Sequence, residues 1–250
     1  MATYTLNLIP SITAFDETTV PNRESLVNKF WYVNPLINER IITHCKAHAY
    51  TNILDVGAGP YPFPSATHLI DTTPGPRIYP VDIDYEPIPF SANYFNFVYC
   101  RHTIEDIQNP LFACQELFRV STDGYIETPS PLVEITRGVD GGNLKYCGYC
   151  HHRYIVWSDL KTNTLYCLPK YPIIEYTEYV PEFLKKQIAI LNNFPVYWNN
   201  YYRWNKDRLP AIIVYRNGIN MDINKDYNIL LTRAITESIE YTNWFVSSPV

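Results

Sequence analysis

The sequence has few charged residues and few glycines. Charged side chains make up 18% of the 250 residues, and 9 glycines stand beside 20 prolines. A chain disordered along its whole length is excluded, because such chains are poor in aromatics and rich in charge, whereas aromatics make up 15% here. The formal net charge of −5 argues against a broad basic surface for nucleic acid, although a local basic groove stays open.

Long apolar runs and a targeting segment are also missing. No stretch reaches the roughly 18 apolar residues that span a membrane, and the N-terminus has no basic segment followed by an apolar run. We therefore expect neither a membrane span nor a secretory signal. Cys100 and Cys114 lie in apolar patterns typical of a core. Because a chain of this length folds without disulfides, we predict free thiols and a cytoplasmic location, the host cytoplasm if the source is viral.

The pattern of apolar residues predicts an α/β fold. Asn34-Pro35 and Asn109-Pro110 are typical of helix starts. Short apolar strands are predicted at 52–56, 66–71, the residues leading to 82, 95–100 and 125–128. This alternation indicates a mostly parallel sheet flanked by helices, in which ligands bind beyond the carboxyl ends of the strands. Six polar residues lie at those ends: Asp55, Asp71, Asp82, Arg101, His102 and Glu127.

The last third of the chain has a different pattern. A hairpin, a helix, a late strand and a terminal helix are predicted at 154–168, 181–191, 211–215 and 226–239. A dense aromatic group comprises Tyr197, Trp198, Tyr201, Tyr202 and Trp204. It forms either a stacking wall for a sugar or base, or an aromatic core on the sheet, and the second interpretation is favoured.

The first strand runs into a glycine turn that limits the choice of cofactor. Gly57-Ala58-Gly59 follows Asp55-Val56, and glycine allows a ligand to approach the backbone closely. Pro60, Pro62 and Pro64 then occupy the segment where a phosphate-binding loop needs amide donors, and proline has no N–H. The third glycine of the dinucleotide fingerprint is absent as well. A nucleoside cofactor without phosphates fits this loop better than NAD or ATP.

Two acidic positions complete the predicted cofactor site. Asp71 ends the second strand, where the two oxygens of a carboxylate can accept both hydroxyls of a ribose. Its short distance from the glycine turn predicts that the first crossover helix is stunted or replaced by a loop. Asp82-Ile83 follows the third strand, where a carboxylate can accept from an exocyclic amine and an isoleucine can pack on a purine.

Several ordered segments carry a resemblance to a known family. They are ILDVGAGP at 53–60, YPFP at 61–64, LID at 69–71, PIPF at 87–90, NYFNFV at 93–98, RHTIEDIQNP at 101–110 and GYIETPSP at 124–131. This stretch resembles class I S-adenosylmethionine-dependent methyltransferases of the type-11 group, in particular a subgroup with a proline-rich first loop. The resemblance implies a Rossmann-like fold and a cofactor site for S-adenosyl-L-methionine at Asp55, Gly57, Ala58, Gly59, Asp71, Asp82, Ile83, Arg101 and His102.

The resemblance also sets the expected organisation. It divides the chain into an N-terminal arm and helix at 1–48, a cofactor-binding core at 49–132, and a C-terminal part at 133–250 that completes the sheet and forms the acceptor site. Two residues depart from the family's pattern, Asn96 at a usual aspartate and Arg101 at a usually small position. Asn96 affects only strand geometry, whereas Arg101 can alter the pocket or compete with the cofactor's cation.

The expected function is methyl transfer to a small molecule or a glycan-linked sugar. The reaction is an in-line displacement in which positioning is the largest contribution. An oxygen acceptor also needs a base, for which His151 or His152 is the candidate and His102 a further one. The alternative is that His151 and His152 are exposed or hydrogen-bonded within the core and have no catalytic role. Two alternatives stay open: a catalytically inactive methyltransferase-like binding or assembly protein, and an RNA methyltransferase. An NAD-dependent enzyme is disfavoured by the three prolines.

A metal site in the cysteine-histidine segment is the weaker interpretation. Cys147 and Cys150 form a CxxC pair directly before His151-His152, and Cys167 is a third possible thiolate. Structural zinc needs four ligands in tetrahedral geometry, and the chain has no second CxxC pair. The sequence therefore predicts no metal site, and a loop with free thiols is the simpler interpretation.

Overall fold

The computed structural model of the protein describes residues 34–176, 181–216 and 223–248. The arm predicted at residues 1–21 lies outside the described residues. The described strands are β1 (Ile53–Val56), β2 (His68–Asp71), β3 (Ile78–Pro80), β4 (Phe97–Arg101), β5 (Gly124–Pro129), β6 (Tyr154–Asp159), β7 (Thr164–Pro169), β8 (Asn199–Trp204) and β9 (Ala211–Val214). The described α-helices are α1 (Pro35–Ala47), α2 (Pro110–Val120), α3 (Pro131–Glu134), α4 (Pro181–Asn193) and α5 (Ile223–Ser247).

A six-stranded sheet forms the centre of the fold. Its strand order is β3-β2-β1-β4-β5-β8, and β1 to β5 pair in parallel. The order of the first five strands is that of the doubly wound α/β folds, which reverses direction between β1 and β4. β8 differs, because it runs antiparallel to β5. The predicted α/β fold with a mostly parallel sheet flanked by helices is confirmed.

Two helices begin where the sequence predicts them. Asn34 accepts hydrogen bonds from the amides of Leu36 and Ile37 at the start of α1, and Asn109 accepts from the amide of Phe112 at the start of α2. In both cases a proline takes the first helical position, where its missing N–H costs nothing. These are local signals, so the sequence alone was enough to predict them.

The connection between β1 and β2 contains no helix. Residues 57–67 form turns and irregular backbone, as the proline-rich sequence predicts. The connections from β2 to β3 and from β3 to β4 are also loops, and within 53–129 only α2 is a helical crossover. The carboxyl ends of β1, β2 and β3 are therefore reached by loops, whose side chains form the cleft described below.

A second sheet lies in the last third of the chain. It contains the predicted hairpin β6–β7 with β9 added in parallel to β7. Helix α5 joins the two sheets, because its first half packs with the second sheet through Tyr227 and Leu231, and its last turns pack with the central sheet through Tyr241 and Phe245. One hydrophobic cluster thus contains residues of both sheets, and a second, separate cluster packs the first half of α5 against β6 and β7.

Four of the five residues of the aromatic group in the C-terminal third are buried, and Trp198 is half-buried. Tyr201, Tyr202 and Trp204 are each at most 1% exposed and lie on β8, a strand that the sequence pattern did not predict. β8 carries large buried residues at neighbouring positions, because α5 packs on Tyr201 and α2 packs on Tyr202 and Trp204. The strand therefore lacks the apolar–polar alternation of a half-buried strand. The favoured interpretation of these three residues as core is confirmed.

The described cysteines and helices bear on two further expectations. All six cysteines are free, with Cys150 exposed and the other five buried, Cys100 and Cys114 among them. Among the described helices, none combines the length and the apolar character that a bilayer crossing requires.

Candidate functional site

A cleft opens at the carboxyl ends of β1, β2 and β4. It lies where the strand order reverses, the position at which open α/β sheets bind ligands. Its volume is about 1060 Å³, at the upper end of the usual range for small-molecule sites. The residues that line it include Asp55, Gly57, Ala58, Gly59, Tyr61, Asp71, Asp82, Ile83, Asp84, Tyr99, Arg101, His102, Thr103 and Asp106.

The structure brings together all the residues that the sequence predicted for the cofactor. Asp55, Gly57, Ala58, Gly59, Asp71, Asp82, Ile83, Arg101 and His102 all line this one cleft. They come from the carboxyl ends of β1, β2, β3 and β4 or from the loops that follow these strands, and the parallel topology places those ends side by side. Their role in binding a cofactor stays a prediction. His151 and His152, predicted as catalytic, do not line the cleft.

Gly57 is fixed by its backbone and by a close neighbour. Its φ of +71° lies in the left-handed region that favours glycine. A Cβ at this position would lie 2.1 Å from Oγ1 of Thr103, a residue of the loop after β4. Oγ1 of Thr103 donates a hydrogen bond to the carbonyl oxygen of Arg101 over 3.1 Å. The glycine turn and the loop after β4 therefore meet without room for a side chain.

The amides of the glycine turn are already used within the protein. The N–H groups of Gly57 and Ala58 both donate to the carbonyl oxygen of Ile70, at 2.9 and 3.2 Å. The N–H of Gly59 donates to Oδ2 of Asp71 at 3.0 Å. These bonds turn the loop toward β2, so these three amides are not free donors for a phosphate group.

Asp55 holds the proline-rich loop from the other side. It is buried, and its Oδ2 accepts a hydrogen bond of 2.7 Å from the N–H of Phe63. Since Pro60, Pro62 and Pro64 have no N–H, the loop presents few donors to a ligand. The structure thus strengthens the sequence argument against a pyrophosphate here. The hydrogen bond from Phe63 also means that Asp55 holds the proline-rich loop in place, apart from any contact with a cofactor.

Burial gives Asp55 a testable pH dependence. Burial raises the pKa of this carboxyl to about 7, whereas the pKa of an aspartate in an unfolded chain is about 3.9. The folded state favours the protonated form of Asp55. The contribution of this carboxyl to the free energy of unfolding is therefore fully present below about pH 4 and is lost as the pH rises through about 7. We expect Asp55→Asn, which resembles the protonated form, to match the wild type near pH 4 and to exceed it increasingly toward pH 7, by at most about 1.4 kcal/mol per pH unit.

Urea denaturation of the two proteins across this pH range measures the effect. A difference in unfolding free energy that stays constant from about pH 5 to about pH 8 would contradict the assigned protonation.

Asp71 stands at the predicted ribose position with both oxygens engaged by backbone. Oδ2 accepts from Gly59, and Oδ1 accepts from the N–H of Thr73 at 2.8 Å. Oδ2 keeps a second lone pair, and Oδ1 also accepts a long hydrogen bond of 3.4 Å from the hydroxyl of Thr72, which a ligand hydroxyl would have to replace. The backbone bonds fix the direction of the carboxylate, which lowers the entropy cost of binding a ligand there.

The loop after β3 is tied to the start of α2 by Asp84, a residue that the sequence pattern did not single out. Oδ1 of Asp84 accepts from the N–H groups of Gln108 and Asn109, at 2.7 and 2.8 Å. Asp82 accepts from the N–H of Asp84 at 3.0 Å. The sequence does not show which of these neighbouring acidic residues binds the loop before α2. That depends on which carboxylate lies within hydrogen-bond distance of the N–H groups of Gln108 and Asn109 in the folded chain.

Arg101 is paired within the protein. Its Nε donates to Oε1 of the buried Glu127 over 3.2 Å. The amide of Asn199 on β8 donates to the same oxygen at 2.6 Å, and the hydroxyl of Tyr125 donates to Oε2. Burial alone would lower the pKa of Arg101, but the charge of Glu127 outweighs it and raises the pKa. The positive charge of Arg101 is therefore balanced by the buried carboxylate of Glu127.

His102 is neutral in this setting. Burial and the neighbouring charge of Arg101 lower its pKa to about 3. Its backbone has a φ of +49°, and its N–H donates to the carbonyl oxygen of Glu127 at 2.8 Å. The ring lies with Nδ1 3.3 Å from Oε1 of Glu105. A neutral imidazole here can accept or donate a hydrogen bond but adds no positive charge to the cleft.

Acidic side chains outnumber basic ones in the lining of the cleft. Its lining includes the aspartates at positions 71, 82, 84 and 106, beside Asp55, whose raised pKa favours the neutral form. Arg101 is the only lysine or arginine among the described lining residues, and Glu127 pairs with it. A cleft lined mainly by one sign of charge concentrates ligands of the opposite sign. This arrangement favours a cationic ligand and opposes a polyanion.

The predicted catalytic histidines lie beside the cleft. His152 is buried, and its Nδ1 lies 2.6 Å from Oε1 of Glu134 on α3. Its Nε2 lies 3.9 Å from Oδ1 of Asp106, which does line the cleft. His151 is exposed, with its ring centroid 4.5 Å from that of His152. Their role as a general base stays a prediction.

The CxxC pair is split by the fold. Cys147 is buried, and its thiol donates to the carbonyl oxygen of Ile174 over 3.7 Å, whereas Cys150 is exposed. Cys167 belongs to a different hydrophobic cluster from Cys147. Within the described part of the chain, the only group of three residues able to share a metal ion is Asp106, His151 and His152, without a cysteine.

Comparison with known proteins gives low similarities to solved methyltransferase structures. No protein-family model matches the chain, and no curated protein matches it. A Mesorhizobium loti S-adenosylmethionine-dependent methyltransferase is 15% identical over 34% of this chain and 50% of that one, with a TM-score of 0.29. One from Clostridium acetobutylicum is 13% identical over 41% and 53%, with a TM-score of 0.33. The chain thus spans about half the length of these two proteins, and its fold is assigned from its own strand order.

Proposed function

We propose that the protein binds S-adenosyl-L-methionine in the cleft and transfers its methyl group to an acceptor. The observation that carries the proposal is the acidic cleft at the strand-order reversal, with its loop amides already hydrogen-bonded. S-adenosylmethionine brings a sulfonium, an ammonium and one carboxylate, so it is a net cation, and it has no phosphate. NAD and ATP bring phosphates, which need free amides or cations at a loop or helix start. The cleft fits the first ligand and disfavours the others.

Three groups are proposed to hold the cofactor. Asp71 accepts the ribose hydroxyls, Asp82 accepts from the exocyclic amine, and Ile83 packs against the adenine. The glycine turn allows the methionyl part to pass close to the backbone. Because Glu127 balances Arg101, this arginine does not place an uncompensated charge against the sulfonium. That pairing supports an active site over the catalytically inactive alternative.

The acceptor is proposed to be a small polar molecule or a glycan-linked sugar. In the transfer, a lone pair of the acceptor oxygen forms a bond to the methyl carbon and the carbon–sulfur bond breaks. The electron pair stays on sulfur, giving S-adenosylhomocysteine, and the acceptor's proton leaves to a base. The net charge of −5 and the acidic cleft favour an uncharged or cationic acceptor over RNA. The buried free thiols support a reducing, cytoplasmic setting.

Calorimetric titration with S-adenosylmethionine, S-adenosylhomocysteine and NAD tests the cofactor. We expect binding of the first two and none of NAD. Asp71→Asn is expected to weaken binding by about ten- to hundredfold, because hydrogen bonds to a charged acceptor contribute about 1.5–3 kcal/mol. Asp207→Asn makes the same change of charge at an exposed aspartate outside the cleft and should bind as the wild type does.

Three results would contradict the cofactor assignment: no binding of either sulfur ligand, binding of NAD, or equal losses in the two variants. For the acceptor, transfer of a labelled methyl group to sugars and small polar molecules should exceed transfer to RNA. Labelling of RNA alone would replace the proposed acceptor class and keep the cofactor.

A further inference from the structure

Asp106, His151 and His152 form a compact group beside the cleft. One ligand-type atom from each of the three lies within 4.8 Å of the other two. Asp106 comes from the loop after β4, whereas the histidines precede β6, so the tertiary fold brings them together. Two imidazoles and one carboxylate are a ligand set that binds divalent transition metals and leaves coordination positions open.

His152 is held in the orientation that a metal ligand needs. Its Nδ1 lies 2.6 Å from Oε1 of Glu134, so in the neutral ring Nδ1–H donates to Glu134 and Nε2 keeps its lone pair. Histidines that bind metals characteristically donate their other ring N–H to a carboxylate in this way. Glu134 is itself fixed, because Nζ of Lys170 donates to its Oε2 at 2.8 Å. Lys170 also donates to the carbonyl oxygens of Cys147 and Tyr149 at 2.8 and 2.7 Å.

Asp106 provides the oxygen on the facing side. Its Oδ1 is buried and accepts no hydrogen bond from the described residues, an arrangement that costs free energy unless something else satisfies it. The 3.9 Å between this oxygen and Nε2 of His152 is too long for a hydrogen bond. Two ligand atoms on one tetrahedral zinc ion are about 3.4 Å apart, given zinc–ligand distances of about 2.0–2.2 Å. A movement of about half an ångström would therefore bring this pair to zinc spacing, and the three ligand atoms, which lie within 4.8 Å of one another, would need to close by at most about 1.4 Å.

The surroundings add negative charge. Glu134 and Asp106 each have a carboxylate oxygen within 4 Å of a ring nitrogen of the buried His152, and Lys170 forms its ion pair with Glu134. A divalent cation would offset this charge.

We propose that Asp106, His151 and His152 bind one divalent transition-metal ion, of which Zn²⁺ is the probe, and that Glu134 positions His152. Three protein ligands leave at least one coordination position for water or for an oxygen of a bound molecule. Since Asp106 also lines the cleft, that position is available to an oxygen-bearing acceptor; this last role rests on the proposed function, whereas metal binding does not.

Calorimetric titration of the chelator-treated, dialysed full chain with Zn²⁺ tests the site in the absence of S-adenosylmethionine. We expect about one Zn²⁺ per chain and no comparable binding of Mg²⁺, which prefers oxygen ligands. His151→Ala and Asp106→Asn should each weaken Zn²⁺ binding by about a hundredfold or more, and Glu134→Gln by about ten- to hundredfold. Because His151 is exposed, its variant should fold, and circular dichroism checks this.

Two matched controls define the ligand set. His48→Ala removes another exposed histidine and should leave Zn²⁺ affinity unchanged. Cys150→Ser removes the exposed thiol next to His151 and should also have no effect. The proposal is overturned if the wild type binds no Zn²⁺, if His151→Ala binds as tightly as the wild type, or if Cys150→Ser abolishes binding. A chain that binds Zn²⁺ but not S-adenosylmethionine would keep this inference and reject the proposed function.

Discussion

Gly57→Ala is expected to abolish measurable binding of S-adenosylmethionine and to destabilise the protein by about 2–5 kcal/mol. A non-glycine residue in the left-handed region costs about 1–2 kcal/mol of folding free energy. Forcing an additional atom into a packed site typically costs about 1–3 kcal/mol more. Both penalties apply, because Gly57 has a φ of +71° and its Cβ would lie 2.1 Å from Oγ1 of Thr103. Relief of the clash must move the glycine turn or the loop after β4, and both line the cleft.

Calorimetric titration and urea denaturation measure the two effects. Gly141→Ala is the matched control, because Gly141 has a φ of +57° but a Cβ added there would meet no atom within 4 Å. It should show only the backbone cost, about 1–2 kcal/mol, and normal ligand binding. The double variant Gly57→Ala/Thr103→Ala removes Oγ1 and should recover part of the stability. Equal losses at Gly57 and Gly141 would show that the contact with Thr103 is unimportant.

Asp123→Ala is expected to destabilise the protein by about 3–5 kcal/mol, the typical cost of removing one partner from a buried charged group. Oδ2 of Asp123 accepts from Nε2 of His44 at 2.9 Å and from the hydroxyl of Tyr50 at 2.8 Å. Oδ1 accepts from Nη2 of Arg203 at 3.2 Å. The carboxylate thus joins α1, the start of β5 and β8 at the end of the sheet opposite the cleft, and its loss leaves a poorly exposed arginine without its anion.

Urea denaturation checks this loss, with the exposed Asp207→Ala as a control that should stay within about 0.5 kcal/mol of the wild type. The effect should also depend on pH. Burial alone would raise the pKa of Asp123, but the hydrogen bond from His44 and the charge of Arg203 outweigh it and lower the pKa. The stabilisation is therefore present above about pH 4 and is lost as the pH falls through the folded pKa. A gap between wild type and variant that does not narrow in acid would contradict the charge-based explanation.

Local signals allowed the sequence to predict much of the cleft. An asparagine followed by proline sets a helix start within a few residues, as at Asn34 and Asn109. A short apolar strand ending in a polar residue marks a carboxyl end of a parallel sheet, as at Asp55 and Asp71. Parallel strands place those ends at one edge, and the nine cofactor residues that the resemblance implied line one cleft there.

The sequence by itself determined the α/β class, the loop in place of the first crossover helix, and the residues around the cleft, because each depends on strand ends, prolines or glycines close together in the chain. Only the tertiary structure decided the antiparallel position of β8, the pairing of Arg101 with Glu127, and the meeting of Asp106 with His151 and His152. These contacts join residues distant in sequence, and hydrophobic periodicity carries no information about which distant side chains become neighbours.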